Sequence, residues 1–144
     1  MIPPFTQDGY LPVGIHLASR AEFRDRFVPL QSIDRRFRIF QQIEKLLSES
    51  ENSAIVTRIT LAGSFVTAKP DPNDFDVILV FKDSVLGRQL RPFEYNLVSR
   101  KAARRMFGGD IVPAIEGTAA LDAYLEFFQT NRNGQRVGVV EIQL

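Results

Sequence analysis

The chain has 144 residues, a net charge of +1 and no cysteine. This length fits one domain, and the lack of cysteine excludes disulfides, thiolate zinc sites, iron–sulfur clusters and thiol nucleophiles. No apolar run approaches the roughly 20 residues that cross a bilayer, and the first residues lack the layout of a signal peptide. We therefore expect a cytoplasmic protein with no membrane partner.

The first 18 residues contain three prolines and two glycines, which exclude one continuous helix. We interpret residues 1–18 as an extended N-terminal arm and residues 19–144 as the folded domain. The arm is expected to pack on a surface, because its apolar side chains would otherwise be exposed. These side chains are Ile2, Phe5, Tyr10, Leu11, Val13, Ile15 and Leu17.

Two helices are predicted next. Ser19 and Glu22 have the three-residue spacing of a capping box, which predicts a helix from residue 19 to about residue 27. A longer helix is predicted from residue 32 to about residue 50, because apolar residues recur there at steps of three and four. That apolar stripe consists of Ile33, Phe37, Phe40, Ile43 and Leu47.

Strands and helices alternate in the rest of the chain. The predicted strands are residues 54–62, 74–81, 110–115 and 137–144. One helix is predicted from Pro92 to about residue 107, and another follows Thr118, with Leu121, Tyr124, Leu125 and Phe128 on its apolar face. This order predicts one α/β (α+β) domain, a small mixed sheet with helices packed on it.

The informative stretch is GSFVTAKPDPNDFDVILVF, residues 63–81. Gly63 and Ser64 directly follow a predicted strand. A glycine at this point lets a phosphate approach the backbone, and free N–H groups at a helix start attract anions. Ser64 adds a hydroxyl donor. The pair is therefore a candidate site for nucleotide phosphates.

Asp74 and Asp76 stand at the start of the next predicted strand. Residues two apart on a strand point to the same face, roughly 6.6 Å apart at the backbone, whereas Phe75 points into the core. That separation suits two divalent ions held about 3.5–4 Å apart. Asp110, at the start of a later strand, is the third candidate. Three carboxylates suit Mg²⁺, a hard ion.

The combination of Gly-Ser, Asp-x-Asp and a later aspartate resembles the DNA polymerase beta superfamily of nucleotidyltransferases, and especially its small single-domain members. Asp110 follows Asp76 by 34 residues, close to the spacing in that superfamily. The resemblance covers roughly a third of the chain, from Gly63 to about Pro113. It implies a nucleotidyltransferase-like sheet domain that carries the extended arm.

The resemblance also implies an activity: Mg²⁺-dependent transfer of a nucleotidyl group from an NTP, ATP foremost, to an acceptor hydroxyl on RNA, a protein or a small molecule. Asp74 and Asp76 would bind two Mg²⁺ ions (or Mn²⁺), Asp110 would bind the catalytic ion, and Gly63 and Ser64 would contact the triphosphate. The alternative is a non-catalytic or regulatory partner with the same fold, for example in a toxin–antitoxin pair. Its partner would be a helical protein or a second copy of the chain.

More loosely, the whole chain resembles a group of small uncharacterised bacterial proteins with an arm like LPVGIH, a GSFVTAKPxPNDFD segment and a closing NRNG turn. The chain departs from typical active nucleotidyltransferases after Gly-Ser. Those proteins often carry an arginine there, whereas this chain has Phe65. Lys69 is the nearest basic residue, and we take it as a candidate phosphate ligand.

Structural interpretations stay open for several of these residues. Asp74 is also suited to capping a turn, and Lys69 to a solvated loop. Asp110 could instead terminate a strand or pair with Arg105, and Glu116 and Asp122 are nearby acids that could substitute for it as the third acid.

Two further features have a functional and a structural interpretation. The basic run Arg100, Lys101, Arg104 and Arg105 is either a solvated helix face or a surface that steers a polyanion such as RNA. His16 is the single histidine of the chain and lies in the arm, where a structural role is expected. With one histidine and no cysteine, a Ser–His or Cys–His hydrolase is implausible.

Overall fold

The computed structural model describes residues 1–28 and 34–144. Its strands form one mixed sheet in the spatial order β1-β5-β2-β3-β4. The strands are β1 (Gly14–Ala18), β2 (Val56–Ala62), β3 (Asp76–Phe81), β4 (Asp110–Ile115) and β5 (Gly138–Ile142). The helices are α1 (Arg20–Phe27), α2 (Asp34–Ser53), α3 (Pro92–Val98), α4 (Arg100–Phe107) and α5 (Ala119–Phe128). The predicted fold class, an α/β domain with a small mixed sheet, is confirmed.

Strand direction changes across the sheet. The outer pairs β1–β5 and β3–β4 are parallel, whereas β2 is antiparallel to both of its neighbours, β3 and β5. Consequently β2 ends at the edge of the sheet where β3 and β4 begin. Ala62 is opposite Asp76, and Asp76 is opposite Asp110.

The last five residues of the predicted arm form β1, an edge strand of the sheet. Leu11 is buried, and Ile2 and Phe5 pack against the main core. Val13 and Leu17 remain 57% and 49% exposed, so the expectation of a packed arm holds for only part of its apolar residues. The arm is therefore continuous with the domain through β1.

The two faces of the sheet are covered unequally. Helices α1 to α4 pack against one face of the sheet and form a large, phenylalanine-rich core with it. In this core the Phe23 and Phe65 rings stack with their centroids 5.8 Å apart. Helix α5 covers part of the other face, where Leu121 packs near Ile78 and Val80. As predicted, Thr118 caps α5, accepting a hydrogen bond from the N–H of Leu121.

The predicted helices agree with the structure in part. The capping box of Ser19 and Glu22 at α1 is confirmed. The single helix predicted from Pro92 to about residue 107 is wrong, because Ser99 has an extended ψ of 118° and caps a second helix, α4, through the N–H of Ala102. In α2, Phe37 is 53% exposed rather than buried, and Leu46 is fully buried. The predicted start of this helix at residues 32–33 lies outside the described residues.

No helix in residues 1–28 and 34–144 combines the length and the apolar character needed to cross a membrane.

Candidate functional site

One edge of the sheet gathers the predicted glycine and aspartates. Gly63 follows the end of β2, while Asp76 and Asp110 begin the adjacent parallel strands β3 and β4. Asp74 lies two residues before Asp76. Phe75 is fully buried and packs against the backbone of Gly109, so the side chain between the two aspartates points into the core, as predicted.

Gly63 has a backbone conformation that other residues rarely adopt. Its φ of 79° and ψ of −165° lie in a region that is essentially confined to glycine. A Cβ at this position would overlap Oδ2 of Asp76. The missing side chain therefore lets the Asp76 carboxylate lie directly against the backbone before Ser64, which begins a short 3-10 turn, Ser64–Val66.

Gly63→Ala should destabilise the fold by about 1–2 kcal/mol more than Gly87→Ala, since it adds a collision with a carboxylate to an unfavourable backbone conformation. Gly87 is the matched control because its φ is 76° but a Cβ there would meet nothing within 4 Å. Chemical denaturation measures both variants. Adding Asp76→Ala should recover part of the Gly63→Ala loss. Equal losses for the two glycine variants would contradict close packing of Gly63 on Asp76.

Two aspartates of the edge are paired with arginines of α4. Asp110 accepts two hydrogen bonds from Arg100, both of 3.0 Å. Asp74 accepts from Arg104 at 3.0 Å and from the N–H of Phe75 at 2.8 Å. Arg100 and Arg104 are one turn apart, so one helix face supplies both cations. The pairing with Arg105 considered for Asp110 does not occur, and the basic run is more than a solvated face.

Asp76 is the aspartate of the cluster whose ionised form is disfavoured in the folded protein. The pKa of its carboxyl is raised from 3.8 to about 6, chiefly by burial and in addition by the negative charges of Asp110 and Asp74. The cations of Arg132 and Arg104 act in the opposite direction. Arg132, in the turn before β5, is thus a neighbour of the cluster that sequence reasoning missed. The NRNG segment predicts only a turn.

The donor set is chemically suited to a divalent cation, but its arrangement is not that of a closed metal site. In the described part of the chain, no three acidic or histidine side chains surround one point closely enough to hold an ion. The cause is visible in the contacts: Asp74 and Asp110 direct their oxygens to Arg104 and Arg100. An ion that used all three carboxylates would have to replace these two ion pairs.

A buried arginine fixes the loop that follows Ser64. Arg36, on α2, is 0% exposed and lies over the Phe65 ring, with its guanidinium carbon 5.1 Å from the ring centroid. It donates hydrogen bonds of 2.5–3.1 Å to the carbonyls of Phe27, Phe65, Thr67 and Lys69. Burial lowers its pKa to about 10, so the guanidinium stays charged at neutral pH. Sequence reasoning missed this residue, because nothing in a helical pattern distinguishes a buried arginine from a solvated one.

The N-terminal arm also contacts the Ser64 loop. The carbonyl of Gly9 accepts a 2.9 Å hydrogen bond from the N–H of Ala68. Asp8 accepts from the side chain of Gln135 at 3.2 Å, which links the arm to the turn that carries Arg132. The arm is thus hydrogen-bonded to two loops at this edge of the sheet, the loop after Ser64 and the turn before β5.

The remaining candidates lie away from the cluster or make other contacts. The Lys69 side chain is exposed, and its backbone carbonyl is held by Arg36. Glu116 accepts hydrogen bonds from Thr57 and Arg58 at the opposite end of β3. Asp122 is exposed in the first turn of α5. His16 contacts the carbonyl of Pro12 through Nε2 at 2.7 Å, consistent with a structural role.

Comparison with known proteins places the chain in a family. It matches a family of unknown function, DUF6932, over residues 3–143, and it therefore belongs to that family. No curated protein and no solved structure matches the chain.

Proposed function

We propose that this domain is a cytoplasmic, Mg²⁺-dependent nucleotidyltransferase that transfers a nucleotidyl group from an NTP, ATP foremost, to an acceptor hydroxyl. The observation that carries the proposal is the position of Asp76. Its carboxylate lies beside Asp110 on the neighbouring strand, two residues from Asp74, and directly against Gly63. Carboxylates from two strands and a glycine-initiated turn are thereby brought to one edge.

Each bond change in this reaction would involve residues of the aspartate cluster or of the turn after Gly63. The acceptor hydroxyl gives its proton to a carboxylate, Asp110 foremost, and its oxygen forms a bond to the α-phosphorus. The bond from that phosphorus to the bridging oxygen breaks, and pyrophosphate leaves. Mg²⁺ would supply neutralisation of charge on the attacking and leaving oxygens. Asp74, Asp76 and Asp110 would hold it, and the N–H groups after Gly63, with the Ser64 hydroxyl, would bind the triphosphate. Arg100 and Arg104, which pair with Asp110 and Asp74, and Arg132, whose charge acts on Asp76, would add positive charge near the bound triphosphate.

A second candidate function is favoured by the two ion pairs of α4. Arg100 and Arg104 already neutralise Asp110 and Asp74 without a metal. A regulatory or partner protein with this fold would need no metal ion to neutralise these two aspartates. Its partner would be a helical protein, as in a toxin–antitoxin pair, or a second copy of the chain. The two candidates differ in their response to Mg²⁺.

Thermal melts with and without millimolar Mg²⁺ and ATP test the enzymatic proposal. A ligand that binds only the folded state stabilises it, by about 2.7 kcal/mol at a hundred times its Kd. The wild type should therefore melt at a higher temperature with Mg²⁺ and ATP, and Asp76→Asn should lose most of that increase.

The matched control is Asp83→Asn, because Asp83 is an exposed aspartate beyond the opposite end of β3. It should respond to Mg²⁺ and ATP as the wild type does. Incubation with α-labelled ATP and pyrophosphate release then report the transfer itself. A wild type that responds to neither Mg²⁺ nor ATP would reject the enzyme and favour the partner protein.

A further inference from the structure

A cleft between α2 and α4 lies beside the aspartate cluster. Its volume is about 360 Å³. Arg38 and Lys45 of α2 line one side, and Arg105 and Met106 of α4 line the other. Gln42 and Gly108 also line it, and Gln42 packs against Gly108, where a Cβ would meet its amide nitrogen.

The cleft is positively charged without compensation. Arg38, Lys45 and Arg105 are exposed, and no aspartate or glutamate is among the residues that line the cleft. Within residues 1–28 and 34–144, none of the three forms an ion pair, whereas Arg100 and Arg104 on the same helix α4 both do. The intervening residues 29–33 contain no acidic residue. Three cations therefore face solvent with their charge available to a ligand.

Both helices connect the cleft to the aspartate cluster. On α4, Arg104 pairs with Asp74, and Arg105 is the next residue. On α2, Arg35 donates to Asn73, in the loop that leads to Asp74, and Arg38 lies one turn farther along. A ligand in the cleft would thus lie next to the edge that carries the three aspartates.

The spacing of the cations favours a chain of phosphates over a single phosphate. Arg38 and Lys45 are seven residues apart on α2, which corresponds to about 10 Å along the helix axis. Phe107, the aromatic residue among those that line the cleft, is buried, and its ring centroid is 5.9 Å from Nζ of Lys45, so its face is not free to stack a base. Contacts would therefore be made to the backbone of the ligand.

We propose that the α2–α4 cleft binds the sugar-phosphate backbone of a single-stranded nucleic acid. This inference rests on the proposed function in one respect: the bound strand would be the acceptor of the nucleotidyl group. Binding through phosphates is strongly salt-dependent and indifferent to sequence when no base is read or stacked. Metal ions play no part in it, since the cleft itself contains no acid.

Fluorescence anisotropy with labelled 12-residue oligo-U and oligo-dT, in EDTA and over a series of salt concentrations, tests the proposal. The wild type should bind both, with a logarithmic salt slope of about −0.7 for each phosphate neutralised. Each of three single variants should weaken binding at low salt by about 3–10-fold: Arg38→Ala, Lys45→Ala and Arg105→Ala. Each should also make the salt slope shallower by about 0.7, the contribution of one phosphate. The triple variant should not bind detectably.

Lys82→Ala is the matched control, because Lys82 is exposed beyond the far end of β3. It should bind as the wild type does, and all variants should keep the wild-type melting temperature. Three results would overturn the inference: no binding of either oligonucleotide at low salt, equal losses in Lys82→Ala and the cleft variants, or binding of inorganic polyphosphate but not of oligonucleotides. Because the assay contains no metal or ATP, its outcome is independent of whether the protein transfers nucleotides.

Discussion

Arg36→Lys is expected to lower the free energy of unfolding by about 3–4 kcal/mol. A buried acceptor without a donor costs about 1–3 kcal/mol, and a lysine ammonium cannot reproduce the planar fork that serves four carbonyls at once. The affected carbonyls belong to Phe27, Phe65, Thr67 and Lys69. Urea denaturation at neutral pH measures the change.

Arg35→Lys is the matched control for this variant. Arg35 is the preceding residue of the same helix, is 41% exposed, and pairs with Asp71 on the surface. Surface ion pairs contribute about 0–1 kcal/mol, so the control should stay within that range. Losses of the same size in both variants would show that Arg36 does not hold the Ser64 loop.

Asp76→Asn is expected to stabilise the metal-free protein by about 1–2 kcal/mol at pH 8 and to have little effect at pH 4. The folded state raises the pKa of Asp76 from 3.8 to about 6. Each unit corresponds to about 1.4 kcal/mol, and solvent screening of this partly exposed carboxyl leaves about half of that energy. The raised pKa means that the folded state disfavours the ionised carboxylate. Stability is therefore lost as pH rises from about 4 through 6, and the full penalty applies above that range. Asparagine cannot ionise, so the variant escapes the penalty.

Chemical denaturation in EDTA at pH 4, 6 and 8 measures this difference. Asp83→Asn again serves as the control and should show no comparable pH-dependent gain. If Asp76→Asn were destabilised at pH 8, the carboxylate would instead be a favourable hydrogen-bonding partner in the folded state. That result would contradict the inferred repulsion between Asp76 and the other two aspartates.

Regular patterns in the sequence predicted much of the fold. The strand at residues 110–115 has the predicted bounds, because Gly108 and Gly109 separate it sharply from the preceding helix. The break at Ser99 was missed, since serine is tolerated inside helices as well as at their caps. The prolines and glycines of residues 1–18 predict an extended arm, and they do not show that its last five residues form β1. Its pairing depends on β5, which no local pattern reveals.

The sequence was enough to predict where the aspartates of the candidate site lie on the strands, but not which side chains they pair with. Strand periodicity placed Asp74 and Asp76 on one side of Phe75, and the parallel pairing of β3 and β4 brings Asp110 beside Asp76. The partners of these acids depend on helix orientation. Arg100 and Arg104 reach the aspartates because α4 packs along β4, a tertiary relationship that the spacing of charges within one helix does not encode.

The pairing of β1 with β5 has a consequence for synthesis on the ribosome. Gly14 pairs with Gly138, which is 124 residues later in the chain. At about 5–20 residues per second, roughly 6–25 s separate the translation of these two strands. During that interval β1 lacks its partner, and β2 lacks its neighbour on one side, because β5 lies between them. The sheet can therefore be completed only after β5 has left the exit tunnel, and until then the exposed strand edges are open to contacts with other nascent chains.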